Sequence, residues 1–283
     1  MWDVRPVTPV PPVCDDGRVP PDDVPRAPRR SRRELAGLLV DAGRSILEEE
    51  GLDIGAGHLT FKRVFDHLES TSGVRLTNAS VIGRVWEDQE DFRTDVLVSI
   101  ASTADASGEL DRTLEVLLPL LESADLSTPA ARTALLRELA RVGGEAGIRT
   151  RLGTRDWSLW VGVWVLALTT PLSGRRLRIR QALEAGLDSV TDLWESLFAE
   201  LCAQLGLRVR APLTLRQYTA AVSSMVEGSA LRQGGDPDPV LIERPTGPDG
   251  GLQEWTLFGV CLEALAFRFL EIDPEWSPAP APA

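Results

Sequence analysis

Apolar residues recur at three- and four-residue steps along most of the 283-residue chain, and no run alternates as a half-buried strand would. After Ser31, Leu35, Leu38, Leu39, Ala42, Ile46 and Leu47 form one helical stripe that Gly51 ends. Phe61, Val64, Phe65 and Leu68 then fall at i, i+3, i+4 and i+7 behind Thr60, a residue suited to capping. Ser70 to Gly73 supply a turn. A third helix follows, capped by Thr77 or Asn78, with Ala79, Ile82 and Val85 or Trp86 facing inward. Asp88 opens a fourth helix that buries Phe92, Val96 and Ile100.

Beyond Gly108, helical patterns cover 109–124, 131–147, 156–170, 178–206, 213–232 and 254–271. In 178–206, Ile179, Leu183, Leu187, Val190, Trp194, Leu197, Leu201 and Leu205 make a long stripe at heptad-like steps. The segment QGGDPDPVLIERPTGPDGG, rich in Pro and Gly breakers, reads as a loop or flap. Residues 1–30 are proline-rich without periodicity and 274–283 end in PAPAPA, so both are expected to be disordered tails. The expected fold is all-α: a small helical head over 31–103 and a larger helical body over 104–273.

Composition places the chain among ordinary soluble proteins, with 43% hydrophobic and 25% charged residues. The apolar run 157–168 is too short to span a bilayer, which takes about 20 residues. The start has no basic segment leading into an apolar core, and Cys14, Cys202 and Cys261 form no framework. A reducing cytoplasm is therefore expected. A net charge of −12 opposes contact with phosphates, yet local distribution decides such contacts. Residues 26–33, RAPRRSRR, hold five arginines and no acid, and the only lysine, Lys62, stands beside Arg63.

Residues 59–101 have the layout of a helix-turn-helix: short helix, Gly-containing turn, polar short helix, longer helix. They resemble the TetR family of bacterial transcriptional regulators. The helix ending in EEEGL looks like that family's first helix and LTFKRVFDHLESTSGV like its second with the following turn. SVIGRVWEDQEDF is similar to the junction of its third and fourth helices, and LTLRQYTAAVSSMVEGSALRQ to its penultimate helix, including Glu227 and Gly228. The resemblance implies a three-helix DNA-binding head, a connecting helix, and a helical body that binds a small-molecule effector and forms a homodimer. The long stripe at 178–206 and the last two helices are the candidate two-fold interface. The chain departs from the family at Gly83, where a phosphate-contacting tyrosine is usual, at Gln89, where a lysine is usual, and in LTNA after Arg75.

At the recognition segment Arg75, Thr77, Asn78, Ser80 and Arg84 are candidate DNA contacts, since arginine chelates a guanine edge, asparagine pairs with adenine, and hydroxyls reach phosphates. Thr60, Lys62 and Arg63 begin the helix that would cross the backbone. Arg29, Arg30, Arg32 and Arg33 form an arm able to follow a minor groove. The bland alternatives are helix caps and solvated faces. Trp157, Trp160 and Trp164 share one side of an apolar helix, and with Trp194, Phe198, Tyr218 and Met225 are candidates to line a ligand cavity, against simple core packing. His58 and His67 lack ligand spacing, so no metal is expected. GGEAG at 143–147 has no strand before it and is no dinucleotide loop. With no catalytic constellation or cofactor motif, the sequence reads as a non-enzyme. It is expected to be a regulator binding double-stranded operator DNA. The alternative is an interaction or scaffold protein of the same fold that has lost specific DNA binding.

Overall fold

Ser31 starts the first helix by a reciprocal cap: its hydroxyl accepts from the Glu34 amide while its own amide donates to Glu34 Oε2 at 2.7 Å. In a computed structural model of the chain, residues 30–52, 56–102, 107–151, 155–169, 173–233, 240–246 and 251–277 are described. The order is α1 (Arg32–Glu50), α2 (Phe61–Ser72), α3 (Asn78–Val81), α4 (Gln89–Ser102), α5 (Ser107–Glu122), α6 (Pro129–Arg151), α7 (Arg155–Thr169) and α8 (Gly174–Leu205). Then come β1 (Leu207–Val209), α9 (Leu215–Gln233), β2 (Leu241–Thr246), β3 (Gly251–Thr256), α10 (Leu257–Phe269) and β4 (Leu270–Ile272). The protein is mostly helical. No helix among the described residues is long and apolar enough to cross a membrane.

Strands do occur, contrary to the periodicity reading. Strand β2, within the segment expected to be a loop or flap, pairs antiparallel with β3, which takes Glu254–Thr256 from the start of the expected last helix, Ile242 standing opposite Trp255. A second short pair joins β1 to β4, Leu207 opposite Ile272. Trp255 is only 1% exposed and its indole N–H donates to Thr246 Oγ1 at 2.6 Å, so the hairpin has its own buried anchor. Glu263 of α10, also buried, ties the hairpin down: Arg244 of β2 reaches it at 2.6 Å and Arg137 of α6 at 3.1 Å.

Two hydrophobic cores form. The first gathers Leu39, Leu47, Leu59, Val64, Val81, Phe92 and Val96 from α1–α4 and their connections. It also takes in Leu159, Trp160 and Val163 of α7 and Ile179 and Leu183 of α8. The expected boundary at 103/104 thus cuts across a continuous core. Gly43 lets α1 close on α4, because a Cβ there would meet Val96 Cγ2 at 2.9 Å. The second core gathers Leu117, Leu136, Leu139, Leu205, Tyr218, Ala266 and Leu270. Along the α8 stripe Ile179 and Leu183 join the first core and Leu205 the second, and Val190 and Leu197 between them are buried as well.

The C-terminal end is docked further than expected. Pro274 and Glu275 turn, and Trp276 donates its indole N–H to Ala203 O at 3.0 Å. Its ring covers the buried Arg132 guanidinium at 4.7 Å, which also donates to Leu205 O and Asp273 O, each at 3.4 Å. A cation at carbonyls closing a helix is favourable because the helix C-terminus carries partial negative charge. Residues 1–29 and 278–283, including Arg26 and Arg29 of the arginine-rich arm, lie outside the described residues.

Candidate nucleic-acid interface and apolar cavity

Thr60 caps α2, its Oγ1 accepting from the Arg63 amide at 3.3 Å, so its hydroxyl is already engaged in the fold. Gly73 ends α2 in the left-handed conformation (φ 68°). The chain then runs extended through Val74–Thr77 into α3, a single turn. Val81, Val85 and Trp86 are buried beneath it, whereas Ala79 and Ile82 face outward, reversing two of the expected inward positions. The reversal follows from the brevity of α3: Gly83 takes φ 73° and its amide bonds Trp86 O at 2.8 Å, so the helical register stops before a second turn.

Arg75, Thr77, Asn78 and Arg84 are exposed around this turn, and Ser80 lies within it. Arg84 has no ion-pair partner among the described residues. Arg75 pairs with Glu69 at 2.8 Å and Lys62 with Asp66 at 3.1 Å, while Arg63 pairs with Glu50. Both measured pairs are largely solvated, and exposed pairs contribute little, so a phosphate can displace their acids. Of the arm, Arg30 and Arg33 are exposed, while Arg32 donates to Val85 O at 3.1 Å and fastens α1 to the turn after α3. Residues 30–86 hold eight basic and eight acidic side chains, so this segment is formally neutral in a chain of charge −12.

Gly83 and Gln89, two of the three departures from the expected pattern, have roles in the fold. Gly83 supplies a positive φ that tyrosine would adopt only with strain. Gln89 turns its Oε1 toward the Phe61 amide at 3.4 Å, helping to satisfy a free N–H at the start of α2.

The aromatic residues expected to share one cavity divide between the cores. Trp160 and Trp164 stack edge-on at 6.0 Å in the first core. Their indole N–H groups and that of Trp157 are buried without a partner among the described residues. Trp194, Phe198 and Tyr218 meet around a cavity of about 110 Å³ beside the second core, between α5, α6, α8, α9 and α10. Phe198 and Tyr218 lie 5.1 Å apart at 61°. Met225 is partly buried on α9 but is not among the lining residues.

Residues missed by the sequence reading complete the wall. Gly143, Gly144 and Gly147 of α6 all border the cavity. Three glycines in five helix-interior positions were the available signal, since each costs about 1 kcal/mol against alanine and implies close approach or space. Burial pushes the Cys202 thiol on this wall up to about 11 and raises the Tyr218 phenol as well. Among the described residues no group of three or more His, Cys, Asp or Glu could hold a metal ion.

No protein-family model matches this chain, and no curated protein or solved structure matches it.

Proposed function

We propose that the chain is a DNA-binding transcriptional regulator of TetR type, a repressor acting as a homodimer under control of a small-molecule effector. One observation carries the reading: the polar turn from Arg75 to Arg84 stands outward on a firmly packed core. Arg75, Thr77, Asn78 and Arg84 are exposed while Val81, Val85 and Trp86 lock the segment from below. A recognition element needs this combination, because groove readout requires solvent-facing polar side chains on a fixed support. Thr60 at the start of α2, with Lys62 and Arg63, flanks it as a phosphate-contacting element.

Dimerisation draws support from the outer faces of the last two helices. On α9, Gln217, Ala220, Ser224, Gly228 and Leu231 are exposed in one line, and on α10 so are Leu257, Cys261, Ala264 and Arg268. Small residues permit close helix approach. Two copies joined there would present two recognition turns to successive major-groove faces about 34–36 Å apart.

A second reading, an interaction protein without sequence-specific DNA binding, is favoured by the ion pairs that occupy Lys62 and Arg75 and by the fold roles of Gly83 and Gln89. A gel-shift with the DNA upstream of the protein's own gene separates the two. The regulator binds that fragment in preference to unrelated DNA of equal length, and Arg84→Ala and Asn78→Ala weaken the complex. Equal, weak binding to every fragment would sink it in favour of the second reading.

A further inference from the structure

The cavity beside the second core is built for a specific kind of occupant, and its walls say which. Gly143 and Gly144 let α6 close on its neighbours: a Cβ would meet Leu117 Cδ2 at 3.1 Å in the first case and Phe258 Cδ1 at 3.1 Å in the second. Gly147 is different. It borders the cavity, and a Cβ built on it meets nothing within 4 Å. An alanine there would favour the helix and fill space, so the bare backbone keeps volume open at the expense of helix stability.

The lining is apolar apart from Thr113, Cys202, Tyr218 and Ser223, and no charged side chain takes part. A charged ligand would lose its water and gain no counter-charge, so ionic occupants are excluded. The rings of Trp194, Phe198, Tyr218 and Phe258 present faces and edges suited to another ring. Tyr218 is 5% exposed, and it borders the cavity beside Cys202 on an otherwise apolar wall. Its phenol is a polar handle that can donate to or accept from a hydroxyl entering the cavity. Volume sets an upper limit: an apolar protein cavity of roughly 150 Å³ takes one benzene ring, and this one, about 110 Å³, has room for no more than a single ring.

We propose that this cavity binds a neutral single-ring aromatic molecule bearing one hydroxyl or similar group, which pairs with the Tyr218 hydroxyl. The assignment rests on reading the distal helices as the effector-binding part and names the effector's chemical class.

The test is calorimetric titration of the full-length protein, without DNA, using phenol, benzene and benzoate as probes. Phenol binds saturably, benzene binds more weakly, and benzoate does not bind. Tyr218→Phe, which keeps ring and volume, lowers phenol affinity about five- to tenfold, the worth of one hydrogen bond, and leaves benzene unchanged. Gly147→Leu fills the space and abolishes binding of both neutral probes, with thermal unfolding checking that the variant is folded. No saturable binding of either neutral probe to the wild type overturns the proposal. So does benzoate binding as well as phenol, or phenol binding that is unchanged by Tyr218→Phe. Because DNA is absent, failure here leaves the gel-shift result standing, and failure of the gel-shift leaves this titration standing.

Discussion

Arg175 Nη2 lies 2.7 Å from Asp88 Oδ2, tying the first turn of α8 to the residue that precedes α4. The same guanidinium reaches Asp91 at 2.8 Å, and Arg178 one turn later pairs with Asp95. The long helix is thereby clasped to α4, the helix that follows the Arg75–Arg84 turn.

This clasp has a signature in acid. Asp88 is held below its ordinary value of 3.8, first by the Asp91 amide and then by Arg175. A carboxyl lowered in the folded state contributes stability above 3.8 that is lost as pH falls through the lowered value. Arg175→Gln is expected to move the Asp88 titration, followed by side-chain carbon NMR, upward but not fully to 3.8, because the amide bond remains. An unmoved midpoint would show that the clasp does not form in solution.

The alkaline limb concerns Cys202. Burial raises its thiol from 9.0 to about 11, and a group raised on folding contributes stability that is complete below its ordinary value and fades as pH rises through the folded one. The fold is therefore expected to weaken between about pH 9 and 11. At pH 8 the Cys202 thiolate is about 100-fold scarcer than for an unburied thiol. Mapping of alkylated peptides should find Cys202 unmodified at pH 8 while the fold is intact and modified once urea unfolds it.

Gly206 ends α8 at φ 58°, and a Cβ there would collide with Arg132 and Trp276. Gly206→Ala should cost at least about 1 kcal/mol from the left-handed backbone alone, with more from displacing the Trp276 cover. Urea unfolding measures the loss, and quenching of tryptophan fluorescence by iodide should rise as Trp276 is freed.

Phe92 is fully buried, 5.0 Å from Phe61 and 4.9 Å from Trp86. Phe92→Ala should destabilise by about 3–5 kcal/mol and abolish any DNA complex at growth temperature, since Trp86 beneath the recognition turn loses its support. A loss below 1 kcal/mol would mean that the first core is not packed as described.

The helices were legible where caps and stripes agree. Ser31 and Gly51 bound α1, Thr60 and Gly73 bound α2, and Asp88 precedes α4 with its Oδ1 accepting from the Asp91 amide at 2.8 Å. The hairpin was not legible because Pro245 argues against a strand, and a two-stranded ribbon has only edges, where proline is tolerated. The cavity was legible only in part, through Trp194, Phe198 and Tyr218. Its aromatic residues come from α8, α9 and α10, far apart in sequence, and periodicity cannot say that Trp160 and Trp164 turn to another core than Trp194, Phe198 and Tyr218. The short α3 was hidden too, since a glycine inside a helical pattern looks tolerable until its φ is known.

The unbroken run of α8 through both cores has a thermal consequence. Its 32 residues extend about 48 Å, with Leu183 sealed at one end and Leu205 at the other. Neither half can fray without dragging on its counterpart, so the molecule should melt as one cooperative block, giving a single calorimetric peak.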